Sequence, residues 1–123
     1  MKPKYERVLK MTKIECILRP NKILALKDSL GKLGINGMTV TEVIGCGLQK
    51  GHTDELNWNT ELNINLLPKT KIEMVVSDNI VDKIIDTIIQ ATRTGDIGDG
   101  KIFTYPVGNA IRIRTGETGE KAI

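Results

Sequence analysis

Two stretches of this 123-residue chain have residue types and spacing suited to holding phosphate. The first is Gly95-Asp96-Ile97-Gly98-Asp99-Gly100-Lys101, which fits the pattern G-x-x-x-x-G-K. Ile102 stands where that motif needs a Ser or Thr hydroxyl for magnesium. The loop also follows a helical pattern and precedes a strand pattern, the reverse of a P-loop, so no helix N-terminus faces a phosphate. It is not a P-loop. Its glycines still permit positive φ and close backbone approach to a ligand, and Lys101 supplies a point charge. The plain alternative is a helix C-cap running into a tight turn. The second stretch is Ile111-Arg112-Ile113-Arg114. Period-two alternation predicts both arginines on one face of a strand, where paired guanidinium forks suit an oligophosphate. A solvated basic strand face is the alternative. Together the two stretches point to nucleotide phosphate.

Other candidates for chemistry are sparse. His52 is the only histidine, which excludes a His-rich metal site and leaves no Ser-His-Asp system in local sequence. Cys46 lies between Gly45 and Gly47 and reads as a small packing residue rather than a nucleophile. Asp54, Glu55 and Glu61 fall in a polar stretch where solvation is the default. A non-catalytic protein is therefore expected, with a weak ATPase in the same cleft as the enzymatic alternative.

The elements that must position these residues read as β-α-β-β-α-β. Thr12–Leu18 alternates as a half-buried strand, and Pro20 opens a helix with the stripe Ile23, Leu26, Leu30 and Leu33, capped by Gly34. Met38–Ile44 forms a second strand, Lys69–Val76 a third, and a helix from Asp78 carries Ile80, Val81, Ile84, Ile85, Ile88 and Ile89 up to Gly95. Lys101–Val107 and Ala110–Thr115 read as extended segments closing the domain, and periodicity collapses between Gly45 and about Leu66. This order predicts an α+β, ferredoxin-like fold: a four-stranded antiparallel sheet with two helices on one face. The other face, carrying Ile17, Val75 or its neighbours, and Ile111 or Ile113, is expected to be covered by another subunit.

Composition narrows the function. A net charge of +3 and 3% aromatic residues do not suit a nucleic-acid module. No apolar run approaches the ~18 residues of a membrane span. Two cysteines outside any C-x-x-C pair suit a reducing compartment. Residues 1–10 read as a basic, mobile extension ahead of a single domain over 11–123.

The stretches Gly37-Met38-Thr39-Val40-Thr41-Glu42-Val43, Gln49-Lys50-Gly51-His52-Thr53, Leu67-Pro68-Lys69, Thr94–Phe103 and Ile111–Glu117 make residues 11–123 resemble the PII signal-transduction proteins, trimeric sensors of nitrogen, carbon and energy status. The resemblance implies a homotrimer binding ATP or ADP in three inter-subunit clefts. Gly37, Met38, Thr39 and Gly47 would contact nucleotide, and Glu73 and Val75 would border the base. Gly98, Asp99, Gly100 and Lys101 would wrap the phosphates, with Arg112 and Arg114 reaching in from the neighbouring chain. The effector 2-oxoglutarate would bind beside MgATP at the base of a long T-loop (about 47–68), with Gln49 helping to hold magnesium and Lys69 pairing with a carboxylate. A PII-like protein answering to a different effector is the alternative.

The T-loop departs from the family. No tyrosine lies in residues 45–68, so tyrosine uridylylation is excluded. Thr60 stands where some members carry a phosphorylated serine, Leu48 replaces a common arginine, and Leu56-Asn57-Trp58-Asn59 replaces the usual tip. Trp58 reads as an anchor for a partner or as packing on its own loop. The implied target is a nitrogen-assimilation enzyme, a modifying enzyme or an ammonium transporter, in the cytoplasm or, for a plastid-encoded chain, the stroma.

Overall fold

A computed structural model describes residues 4, 5, 10–47 and 65–123. Its elements are β1 (Met11–Leu18), α1 (Ile23–Lys32), β2 (Thr39–Gly47), β3 (Asn65–Ser77), α2 (Val81–Thr92) and β4 (Lys101–Val107). Short 3-10 turns at Pro20–Lys22 and Asp78–Ile80 lead into the two helices. The sheet order is β2-β3-β1-β4, with every neighbouring pair antiparallel. This is the ferredoxin-like arrangement that the order of periodicities predicts.

The alternation of β1 sends Ile14, Cys16 and Leu18 to one face, where they meet Ile72, Met74 and Val76 of β3 and the helical stripe residues Leu26, Leu30, Ile84 and Ile88. All ten are buried, and removing such apolar surface from water is the main force assembling the layers. α1 ends as expected. Gly34 has φ +82°, and the Ile35 N–H donates to the Leu30 carbonyl, closing a Schellman motif.

Three expectations need correction. The third strand begins at Asn65, not Lys69, and β2 runs on to Gly47, so the two pair from Thr39↔Glu73 to Gly47↔Asn65. The supposed irregular segment therefore starts and finishes as a two-stranded ribbon. β1 pairs with β3 only as far as Leu18↔Thr70, so Pro68 lies where β3 has β2 alone as neighbour and its missing N–H is tolerated.

Secondly, Ala110–Thr115 is not a strand. Ile111 makes one isolated bridge to Thr118, and the chain turns between them, with the Gly116 N–H donating to the Arg112 carbonyl. Arg112 and Arg114 therefore do not alternate along a strand face.

Thirdly, the uncovered sheet face carries paired charges among its apolar residues. Lys13 and Lys71 lie 3.2 and 3.1 Å from the Glu73 carboxylate, and the Tyr105 hydroxyl donates to Glu15. Ile17 and Val75 are half-buried, whereas Ile111 and Ile113 sit off the sheet and exposed.

Candidate functional site

The Gly95–Lys101 loop leaves α2 and enters β4, and a network of charge and backbone holds it. Asp99 turns its carboxylate into the loop: one oxygen accepts the backbone N–H groups of Thr94 and Gly95, each at 2.9 Å. The other accepts the Thr94 hydroxyl and the Arg19 guanidinium. The Thr94 hydroxyl and N–H, then Gly95 and Arg19, hold the Asp99 carboxyl far below the usual carboxylate range. Arg19 also donates to the Ile97 carbonyl at 2.9 Å and to the Thr94 hydroxyl at 3.1 Å.

Arg19 reaches this position because Pro20 keeps its backbone extended, at φ −66° and ψ 138°. The β1 alternation thus continues one step beyond Ile17 on the uncovered face. No motif marks Arg19, and sequence reasoning missed it. Its only signal is an arginine placed in phase at a strand end, immediately before proline.

Glycine is required at two points of the loop. Gly98 and Gly100 have φ near +103° and +104°. A Cβ on Gly100 would lie 1.8 Å from the Ile17 carbonyl oxygen, so the loop rests directly on the backbone of β1.

These residues open onto a cavity of about 640 Å³. Gly98, Asp99, Gly100 and Lys101 form one side, and Gly45, Cys46, Leu67 and Lys69 of the ribbon form another. Ile17 and Phe103 supply an apolar wall that sequence reasoning did not assign. Lys69 Nζ donates to the Gly98 carbonyl at 3.1 Å, so the predicted effector lysine touches the predicted phosphate loop. Gly45 makes room for it, because a Cβ there would stand 3.2 Å from the Lys69 side chain. Three cations, Arg19, Lys69 and Lys101, face two carboxylates, Asp96 and Asp99. With Asp99 engaged by the loop and Arg19, the balance suits an anionic ligand.

Gly37, Met38, Thr39, Glu73 and Val75 line a second, open pocket of about 500 Å³ together with Lys13 and Met74. The lysines on either side hold the Glu73 carboxyl below its ordinary value, Lys71 first and then Lys13. Within one chain the predicted nucleotide residues thus fall into separate groups. Arg112 lines neither pocket; it pairs with Glu117 at 3.4 Å, beside an exposed Arg114. The backbone of Gly47 ends β2. Gln49, Trp58 and Thr60 lie outside the described residues.

Residues 11–117 match the family described as nitrogen regulatory protein P-II. The chain belongs to the PII family. It is 54% identical over 113 residues to the nitrogen regulatory protein P-II of Klebsiella oxytoca, covering 92% of this chain and all of that one. The P-II 1 protein of Escherichia coli K12 matches to the same extent. Among solved structures, a GlnK–ATP complex from B. subtilis superposes with a TM-score of 0.77 at 41% identity, covering 93% of this chain and 96% of that one. A PII protein of Arabidopsis thaliana bound to citrate gives 0.74 at 42% identity, covering 93% and 92%. PII proteins are non-catalytic signalling proteins, so this chain is a regulator rather than an enzyme. No helix among the described residues is long and apolar enough to cross a membrane.

Proposed function

We propose that this PII protein senses nitrogen, carbon and energy status by binding ATP or ADP, with 2-oxoglutarate as effector, and regulates a target protein through its T-loop. The observation that carries this reading is the single cavity shared by the Gly98–Lys101 loop and Lys69. One side supplies glycine backbone and a lysine for phosphates. The other supplies an ammonium for a carboxylate. The ATP held by the B. subtilis relative supports the nucleotide half.

Completion of the site falls to a homotrimer. Arg112 and Arg114 stand apart from both pockets and would reach phosphates from a neighbouring copy, and the uncovered sheet face would turn toward the other subunits. Magnesium would be held largely by the nucleotide's own phosphate oxygens, as is usual for this ion. The described residues offer no cluster of three His, Cys, Asp or Glu for a metal, and the Asp99 carboxylate is already engaged. Gln49 is the side chain assigned to it.

A second reading keeps the nucleotide and changes the effector. The citrate on the Arabidopsis relative favours it, since another multicarboxylate could use the same ammonium. Calorimetric titration of ATP, then of 2-oxoglutarate with MgATP present, separates the two. Binding of 2-oxoglutarate only with MgATP, lost in Lys69→Ala, supports the first reading. ATP binding with no 2-oxoglutarate signal overturns its effector half, and absence of ATP binding overturns both readings.

A further inference from the structure

We infer that Arg19 is a positioning residue for nucleotide phosphate, holding the Gly95–Lys101 loop in its receptive shape before the ligand arrives. This rests on the nucleotide reading above. The guanidinium bridges the Asp99 carboxylate, the Ile97 carbonyl and the Thr94 hydroxyl at once. A planar fork with several donors can span such a set, whereas an ammonium acts from one point.

The loop needs such a pin. It contains three glycines in seven residues, and glycine loses more conformational freedom on ordering than any other residue. Freezing the loop only on binding would subtract that ordering free energy from the affinity. Two contacts of the rigid sheet already fix it in part: Gly100 rests on the Ile17 backbone, and Lys69 holds the Gly98 carbonyl. Arg19 fixes the span from Thr94 to Asp99.

Arg19 has a second effect of the same sign. Asp99 lies in a loop offered to an anion, and an unpaired carboxylate there would repel phosphate. Pairing with Arg19 neutralises it while the loop amides draw it inward. The guanidinium stands against the cradle: a Cβ on Gly98 would be 3.1 Å from Arg19 Nη2.

The experiment is a calorimetric titration of ATP into the full chain, its Arg19→Ala, Arg19→Lys and Asp99→Asn variants, and the double variant Arg19→Ala with Asp99→Asn. Hydrogen exchange of the Thr94 and Gly95 amides is measured in parallel. Arg19→Ala should weaken ATP binding roughly tenfold, the scale of losing a charge-assisted hydrogen bond. Its Thr94 and Gly95 amides should exchange faster while those of β1 and β3 do not. Arg19→Lys should recover only part of the affinity. In the double variant the two losses should fall well short of adding. If Arg19→Ala does not fold, Arg19→Gln, which keeps the stem and a donor, carries the same comparison.

Wild-type affinity in a folded Arg19→Ala overturns the inference and leaves the nucleotide reading standing. So does full recovery in Arg19→Lys with unchanged amide exchange, which would make Arg19 a simple charge. A wild-type chain that does not bind ATP overturns the nucleotide reading and this inference with it.

Discussion

Lys69 Nζ lies 3.1 Å from the carbonyl oxygen of Gly98, joining the root of the ribbon to the tip of the glycine loop. An effector carboxylate recruited by this ammonium would share its three N–H donors with the Gly98 carbonyl. If both proposed sites form, they share this group, and linkage requires the influence to run both ways.

Lys69→Met keeps the stem and removes the ammonium. It should abolish 2-oxoglutarate binding while changing ATP affinity by roughly fivefold or less, the scale of one modest hydrogen bond. Paired titrations check this. Retention of 2-oxoglutarate binding by the variant would remove Lys69 from the effector site.

Gly100→Ala meets both a positive φ and the Ile17 carbonyl. Strain and overpacking together predict a loss of roughly 2–4 kcal/mol. Gly98→Ala should cost less, because its nearest neighbour is the Arg19 side chain at 3.1 Å rather than backbone at 1.8 Å. Denaturant midpoints of the two variants give the ranking.

Two groups set opposite pH limits. Burial pushes the Cys16 thiol up to about 11 from 9.0. The unfolded thiol ionises first, so stability should decline between pH 9 and 11. Asp99 is held low in the folded state. Its contribution is present above the ordinary carboxylate value of about 3.9 and is lost as pH falls below that. Urea midpoints across pH should show both slopes, the alkaline one reduced in Cys16→Ala and the acid one in Asp99→Asn.

Glu117 forms an ion pair with Arg112 at 3.4 Å and would compete with the proposed phosphate for it. A solvent-exposed pair of this kind is worth about 0–1 kcal/mol. Glu117→Gln should therefore raise ATP affinity by no more than about fivefold, and Arg112→Ala should lower it. A titration in which Glu117→Gln weakens binding would show that the carboxylate positions the arginine instead of restraining it.

The layered core was readable because β1 and both helices carry their apolar residues at the period of their own element. Leu26, Leu30, Ile84 and Ile88 are the stripe members that the sheet buries most fully. The ribbon was not readable. Gly45, Gly47 and Pro68 contradict strand propensity, and pairing across to the other strand overrides it. Ile111-Arg112-Ile113-Arg114 misled in the opposite direction: it alternates like a strand, yet Gly116 at φ +73° turns the chain back on itself. The glycine loop could be singled out from its residue types, and Lys69 only from the resemblance to the family. Arg19 could not, since its partner Asp99 lies 80 positions further along and only the closed sheet brings them together.

The ribbon has a mechanical consequence. From Val43↔Lys69 to Gly47↔Asn65 it extends four residues, about 13 Å at the usual rise of a strand. With residues 48–64 joined to its far end in sequence, it would act as a lever with Lys69 at the fulcrum. A hinge of ~10° at the root would carry that end by ~2 Å over the same length. Exchanging one hydrogen-bond acceptor at Lys69 could thus be amplified into a displacement comparable with an atomic diameter, where a target would read it.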